Sequence, residues 1–209
     1  MTQMNLGNAL RNLGIYTDNT QTLHDAVTAF NEALKVIPQD TKAIQWAMVQ
    51  MNLGNVLQNL GTRTENPEVL RHSIEAYKAA LEEFTRKDNA MNWATTQMNL
   101  GGSLHSLAAL TGEVQSVCEA IQTYKLALEV TTRKLNEMDW GSLQMNLALA
   151  HFHHAQHLPH EDALVTLTDG LRCTDNALAI FTPETAAAYH DRATQIRDAI
   201  LAALDALDA

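Results

Sequence analysis

A phrase built around Gln-Met-Asn-Leu returns along this chain at one constant interval. It starts at Gln3, Gln50, Gln97 and Gln144, and the differences 50−3, 97−50 and 144−97 all equal 47. Segments 46–61 and 93–108 share nine of their sixteen residues, more than helical patterning alone produces. An internal repeat of this kind is typical of arrays in which each unit buries its apolar face against the next. The repeat therefore predicts a stack of similar units.

Two amphipathic helices, A and B, are predicted in each unit. In the second unit, Asn66-Pro67 is a typical helix start, and Leu70, Ile74 and Tyr77 follow with helical spacing. All four prolines fall at predicted helix boundaries, where a missing N–H costs least. No segment alternates with the period of a strand. The predicted helices are A1 at about 2–13, B1 20–37, A2 41–60, B2 67–86, A3 89–110, B3 114–135, A4 137–157, B4 161–180 and a last helix at 183–207.

Short connections between so many helices require each helix to pack on its sequence neighbours. We therefore predict an all-α fold, an α-solenoid of four helix-turn-helix repeats. A last helix with an apolar stripe that includes Tyr189, Ile196 and Ile200 would cap it. We expect a single domain, 1–209, with repeats at about 1–40, 41–87, 88–135 and 136–181 and the capping helix at 183–207.

Several residues of the second unit carry a family resemblance. The run from Gln50 to Leu57, then Gly61, Ala76-Tyr77 and Ala80-Leu81, resembles the tetratricopeptide repeat signature. The usual repeat of that family has about 34 residues, so this chain resembles long-period tandem repeats of the bacterial type. The resemblance implies four TPR-like hairpins that form a superhelix, with the A helices lining a concave groove that binds a protein or peptide.

The repeated phrase divides into two halves on a helical wheel. Leu53, Gly54 and Leu57 fall on the half that should pack in the stack, whereas Met51 and Asn55 fall on the other half. Methionines would give an adaptable apolar floor, and asparagine amides would bind a peptide backbone. Alternatively, the methionines fill space between helices and the asparagines bond within the repeats. The predicted groove residues are Met4, Asn5, Asn8, Arg11, Asn12, Met48, Met51, Asn52, Asn55, Gln58, Asn59, Met98, Asn99, His105, Met145 and Asn146.

Five of the nine histidines lie in segment 151–160. His153 and His157 have the i, i+4 spacing that can place two metal ligands on one helical face, and His160 could complete a shell. Two other interpretations are a solvated, polar end of the groove and a surface whose binding depends on pH. The segment therefore suggests metal candidates without predicting a metal site, and we expect no cofactor.

Composition and the absence of certain motifs argue against several other classes of function. The net charge of −10, from 14 basic and 24 acidic side chains without a basic cluster, argues against nucleic acid as a partner. No apolar run is long enough to span a membrane, and the N-terminus does not resemble a signal peptide, so we expect a cytoplasmic protein. No nucleophile or phosphate-binding motif is present, and Cys118 and Cys173 fall on apolar-rich segments, as core thiols do.

These observations predict a non-enzymatic scaffold or adaptor with a protein or peptide ligand. The alternatives are a metal- or small-ligand-binding sensor that uses segment 151–160, and a regulatory subunit of a separate enzyme. The first unit lacks the tryptophan-bearing turn that precedes Gln50. We therefore expect that the N-terminal repeat self-associates, binds a partner, or lacks sequence upstream.

Overall fold

The computed structural model describes residues 2–208, and these contain nine helices and no strand. The helices are α1 Thr2–Tyr16, α2 Thr20–Val36, α3 Gln39–Arg63, α4 Pro67–Glu83, α5 Ala90–Thr111, α6 Val114–Leu128, α7 Glu137–Ala155, α8 His160–Leu178 and α9 Pro183–Asp208. The predicted succession of A and B helices is confirmed, as is the all-α fold class. No helix in the described part of the chain has both the length and the apolar character needed to cross a membrane.

Three of the turns from an A helix to a B helix share one backbone conformation. Asp18, Glu65 and Gly112 are spaced by 47 residues and have φ values of 53°, 48° and 74°. In each turn the preceding threonine hydroxyl donates a hydrogen bond to the carbonyl four residues earlier. These bonds are Thr17 to Leu13 at 2.7 Å, Thr64 to Leu60 at 2.8 Å and Thr111 to Leu107 at 2.8 Å. The fourth turn differs because Pro159, at the equivalent position, has a φ of −57°.

Asparagine starts the first two B helices. The side chain of Asn19 accepts a hydrogen bond from the N–H of Thr22, and Asn66 accepts from Glu68 and Val69. These bonds satisfy N–H groups that have no partner inside the helix. In these two hairpins the turn and the cap together fix where the chain folds back on itself.

Helix α6 differs most from its predicted range, because it ends at Leu128 instead of reaching 135. The N–H groups of Glu129 and Val130 bond carbonyls only three residues back, and the β-branched Val130 and Thr131 follow. Tightened bonds and residues of low helix propensity end the helix there.

The described helices form two compact units, Met1–Gly112 and Glu113–Ala209. Their boundary falls between the A and B helices of the third predicted repeat. The single domain over 1–209 remains a prediction.

In the first unit each helix packs against its sequence neighbours, from α1 through α5. Gly54 of α3 packs directly against the side chain of Tyr77 on α4. A Cβ atom at this position would lie 2.7 Å from Cε1 of the Tyr77 ring, which is fully buried. The same contact occurs one repeat earlier, where a Cβ at Gly7 would lie 2.8 Å from the ring of Phe30. The glycine of the repeated phrase is therefore a packing residue, as its wheel position predicts.

The second unit packs α6 on α7, α7 on α8 and α8 on α9. Ala148 takes the place of Gly54 in this unit, and the facing helix carries Gly170. Helix α9 buries Ala193, Ile196 and Ile200 of its apolar stripe. Neighbouring helices thus pack in pairs within each unit, as in a solenoid-like repeat fold.

Candidate functional site

None of the predicted groove residues of the first unit is fully buried. Asn5, Asn12 and Met48 are exposed, and the remaining members are half-buried. Those remaining members are Met4, Asn8, Arg11, Met51, Asn52, Asn55, Gln58, Asn59, Met98, Asn99 and His105. These residues and the three exposed ones lie on α1, α3 and α5, and we call the surface that they form together the groove face. Its role in binding remains a prediction.

Asn55 is the centre of a hydrogen-bond network on the groove face. Its Oδ1 accepts from Tyr77 Oη at 2.7 Å and from Asn99 Nδ2 at 2.9 Å, so it connects α3 to both α4 and α5. Tyr77 Oη also lies 3.1 Å from Gln58 Oε1. Burial raises the pKa of the Tyr77 phenol above its usual range, so the hydroxyl stays protonated and donates. The structure therefore shows Asn55 and Asn99 bonded inside the protein, through one hydrogen bond within the second repeat and one between the second and third repeats.

These bonds also determine what the asparagines can offer a ligand. Because the oxygen of Asn55 is occupied, only its Nδ2 group is free, and that group has no partner among the described residues. Asn59 is oriented the other way, since its Nδ2 donates to the carbonyl of Asn55 at 2.7 Å and leaves its Oδ1 free. One donor and one acceptor therefore stand about one helical turn apart.

Two recesses open at the two ends of α3 on the groove face. The first has a volume of about 660 Å³, and its lining includes Met4, Ile37 and Met48. The second has a volume of about 470 Å³, and its lining includes Gln58 and Asn59. The first recess is mainly apolar, whereas the second is lined by residues with polar side chains.

The second unit contains the last two predicted groove residues, Met145 and Asn146. Asn146 is half-buried, but Met145 is only 3% exposed. The prediction that Met145 lines a groove is therefore wrong. Its unbranched side chain fills the core, as methionine commonly does.

The histidines of segment 151–160 do not gather around one point. Helix α7 ends at Ala155, so His157 lies in the following turn and does not share a helical face with His153. His160 belongs to α8, where its Nε2 is 2.9 Å from the carbonyl of Leu207. Pro159 separates the two helices because it cannot continue α7. Among the side chains of residues 3–207, no three His, Cys, Asp or Glu groups are arranged to hold a metal ion.

The other histidines of this segment have distinct environments. His151 is 5% exposed, and burial lowers its pKa to about 4. Burial and the neighbouring His157 also lower the pKa values of His153 and His154. These histidines therefore bind protons less readily than exposed ones.

The two cysteines differ in environment. Cys173 is 5% exposed, and burial raises the pKa of its thiol to about 11, which agrees with the predicted core thiol. Cys118 is only half-buried, and its Sγ lies 3.3 Å from His154 Nε2. This pairing joins α6 to α7, and no motif in the sequence signals it.

A further cleft of about 390 Å³ lies on the other side of α3, between α2 and α4. Gln50, Leu53 and Leu57 of α3 contribute to its lining, together with side chains of the two flanking helices. Gln50 lies on the same side of α3 as Leu53 and Leu57, and the repeat pattern did not predict a cleft there. The sequence feature that could have indicated the cleft is the glutamine of the repeated phrase, which recurs on an otherwise apolar helix stripe.

Comparison with known proteins leaves the function to be argued from the chain's own residues. No family model matches this sequence, and no curated protein matches it. Among solved structures, the chain is similar to one described as the DHF58 filament, at 14% sequence identity and a TM-score of 0.42. That match covers 99% of this chain and 93% of the other. Membership of the tetratricopeptide repeat family remains a prediction.

Proposed function

We propose that this chain is a non-enzymatic scaffold or adaptor that binds an extended segment of a partner protein along the groove face. A regulatory subunit of a separate enzyme would be one form of the same role, and we place it in the cytoplasm. The observation that carries the proposal is the fixed orientation of Asn55 and Asn59, which present one free donor and one free acceptor.

The backbone of an extended peptide can form hydrogen bonds with both a donor and an acceptor. Each residue of an extended segment carries one C=O acceptor and one N–H donor. The Nδ2 of Asn55 could bond a carbonyl, and the Oδ1 of Asn59 could bond an N–H. The internal bonds of Asn55 hold its amide in place before binding, so little side-chain freedom would be lost on association.

The two recesses support an extended ligand of limited length. Residues from Met48 to Asn59 span roughly 16 Å along α3 at about 1.5 Å per residue. An extended chain covers this distance with about five residues. An apolar side chain could enter the recess beside Met48, and a polar one could enter the recess beside Asn59.

Charge on the groove face differs from that of the whole protein. The chain has a net charge of −10, yet the predicted groove residues include no carboxylate, and Arg11 is the only formal charge among them. Arg11 is half-buried, and its Nη2 donates to Asn12 Oδ1 at 3.2 Å. A neutral or acidic partner segment therefore meets no repulsion from this set of side chains.

The test is selection from a random peptide library, followed by fluorescence anisotropy on the selected peptides. Asn52→Ala removes an amide that bonds no other described residue, and Met48→Glu places a charge in the apolar recess. We expect each change to weaken binding by about tenfold. Asn55 is unsuitable for this test because replacing it also breaks the bonds to Tyr77 and Asn99.

Asp25→Asn on α2 serves as the control, because Asp25 is exposed and lies outside the groove face. Peptides that lose affinity for both groove variants but not for this control would support the proposal. Recovery of no peptide, or equal binding to all four proteins, would contradict it.

We also propose self-association through α1. Leu6 and Leu13 are 47% and 50% exposed, whereas Leu53 and Leu60, one repeat later, are buried in a cluster with residues of α2. The exposed apolar face of α1 therefore corresponds to the face of α3 that α2 covers. Light scattering of the wild type and of Leu6→Gln/Leu13→Gln tests this, and a wild-type monomer at high micromolar concentration would contradict it.

A further inference from the structure

The cleft between α2 and α4 is built from one stripe of each of three helices. Helix α3 provides the floor with Leu53 and Leu57, which are 7% and 9% exposed. Asn31 of α2 lies on one wall, and Glu75 of α4 lies on the other. An apolar floor with a few polar groups around it is the usual composition of a ligand site, and a volume of about 390 Å³ is within the usual range.

Gln50 stands at one end of this floor and has no hydrogen-bond partner among the described residues. The equivalent glutamine of the fourth repeat shows what this side chain does when a neighbour is in reach. Gln144 is 7% exposed, and its Oε1 accepts a hydrogen bond from Asn176 Nδ2 at 3.3 Å. In the first unit no described side chain supplies that N–H, so the oxygen of Gln50 is available to an external donor.

Glu75 gives the cleft its charge. It is the only Asp, Glu, Lys or Arg residue in the lining, and it forms no ion pair within the described part of the chain. His72 lies one helical turn before it on the same wall. A ligand with a positive charge would pair with this carboxylate, whereas an acidic ligand would be repelled.

We propose that this cleft is a docking site for a basic side chain, arginine or lysine, of a partner protein. The cation pairs with Glu75, the aliphatic stem covers Leu53 and Leu57, and a backbone N–H of the partner donates to Gln50 Oε1. Helical geometry places these residues and Asn52 and Asn55 on opposite sides of α3. The site is therefore separate from the groove face and does not depend on the function proposed for it.

The probe is N-acetyl-arginine amide, titrated into the full chain and followed by NMR shifts of backbone amides. N-acetyl-citrulline amide is its neutral counterpart of nearly the same shape. We expect saturable shifts confined to α2, α3 and α4 with the arginine probe, and binding weaker by about tenfold with the citrulline probe. Shifts that rise linearly without saturation, or that spread over the whole chain, would overturn the proposal.

Variants then identify the groups involved. Glu75→Gln and Gln50→Leu should each weaken binding of the arginine probe several-fold. Asp25→Asn removes the same charge from the side of α2 that faces away from the cleft and should change nothing. Circular dichroism confirms that each variant is folded, and Glu75→Asp should retain part of the affinity if a variant at this position is otherwise unstable. Equal binding by Glu75→Gln and wild type would overturn the proposal, as would tighter binding of free L-arginine, which would indicate an amino acid ligand.

Discussion

Replacing Gly54 with alanine tests the packing that defines the repeat. The added Cβ would lie 2.7 Å from Cε1, 2.8 Å from Cδ1 and 2.9 Å from Cζ of Tyr77. The ring is fully buried, and its hydroxyl bonds Asn55, so the ring has little room to move away. Overpacking of this kind costs about 1–3 kcal/mol, and the better helix propensity of alanine returns roughly 1 kcal/mol. We expect Gly54→Ala to lower the free energy of unfolding by up to about 2 kcal/mol.

Urea unfolding followed by circular dichroism measures this effect, and a double-mutant cycle assigns it to the ring. Tyr77→Ala alone leaves a cavity and should cost about 3–5 kcal/mol. In Gly54→Ala/Tyr77→Ala the clash is absent, so the double variant should be more stable than the sum of the two single effects predicts. Additive costs in this cycle would refute the close contact.

Two further predictions concern protonation and backbone strain. His151 has a pKa lowered to about 4 in the folded chain, against about 6.5 when unfolded, so the unfolded chain binds more protons between these values. Stability should therefore fall as pH drops from about 6.5 to about 4, by up to roughly 3 kcal/mol. Leucine occupies the equivalent positions 57 and 104, so His151→Leu is the variant to compare. This change should flatten the dependence of the urea midpoint on pH. An unchanged slope would exclude His151 as the cause. Glu65→Gly should raise the thermal midpoint, because Glu65 has a φ of 48°, which costs a non-glycine residue about 1 kcal/mol. Gly112→Ala, at a φ of 74°, should lower it, and changes in the opposite directions would count against the shared turn.

The sequence predicted the helices because their signals are local and periodic. Constant spacing identified the repeat, and Asn66 and Pro67 located the start of α4 within that pattern. The turns were harder to predict. Asp18 and Glu65 have positive φ values, as Gly112 has, and an acidic residue in a sequence does not predict a positive φ.

The groove face could be predicted only in part, because a helical wheel gives the direction of a side chain but not its partner. The wheel placed Asn55 opposite the packed residues, and the structure leaves it half-buried. It could not show that Tyr77, 22 residues later on another helix, reaches its oxygen. The same limit explains the error at Met145, whose burial depends on packing around α7.

The constant 47-residue register also bears on how such a chain can change its length. Leu23 and Phe30 of α2 are buried in one cluster with residues of α3, and they have counterparts one period later in Leu70 and Tyr77 of α4. Loss or duplication of one whole period in the gene would therefore join helices whose contacting residues already match. The chain can gain or lose a hairpin in a single recombination event without a new interface having to evolve.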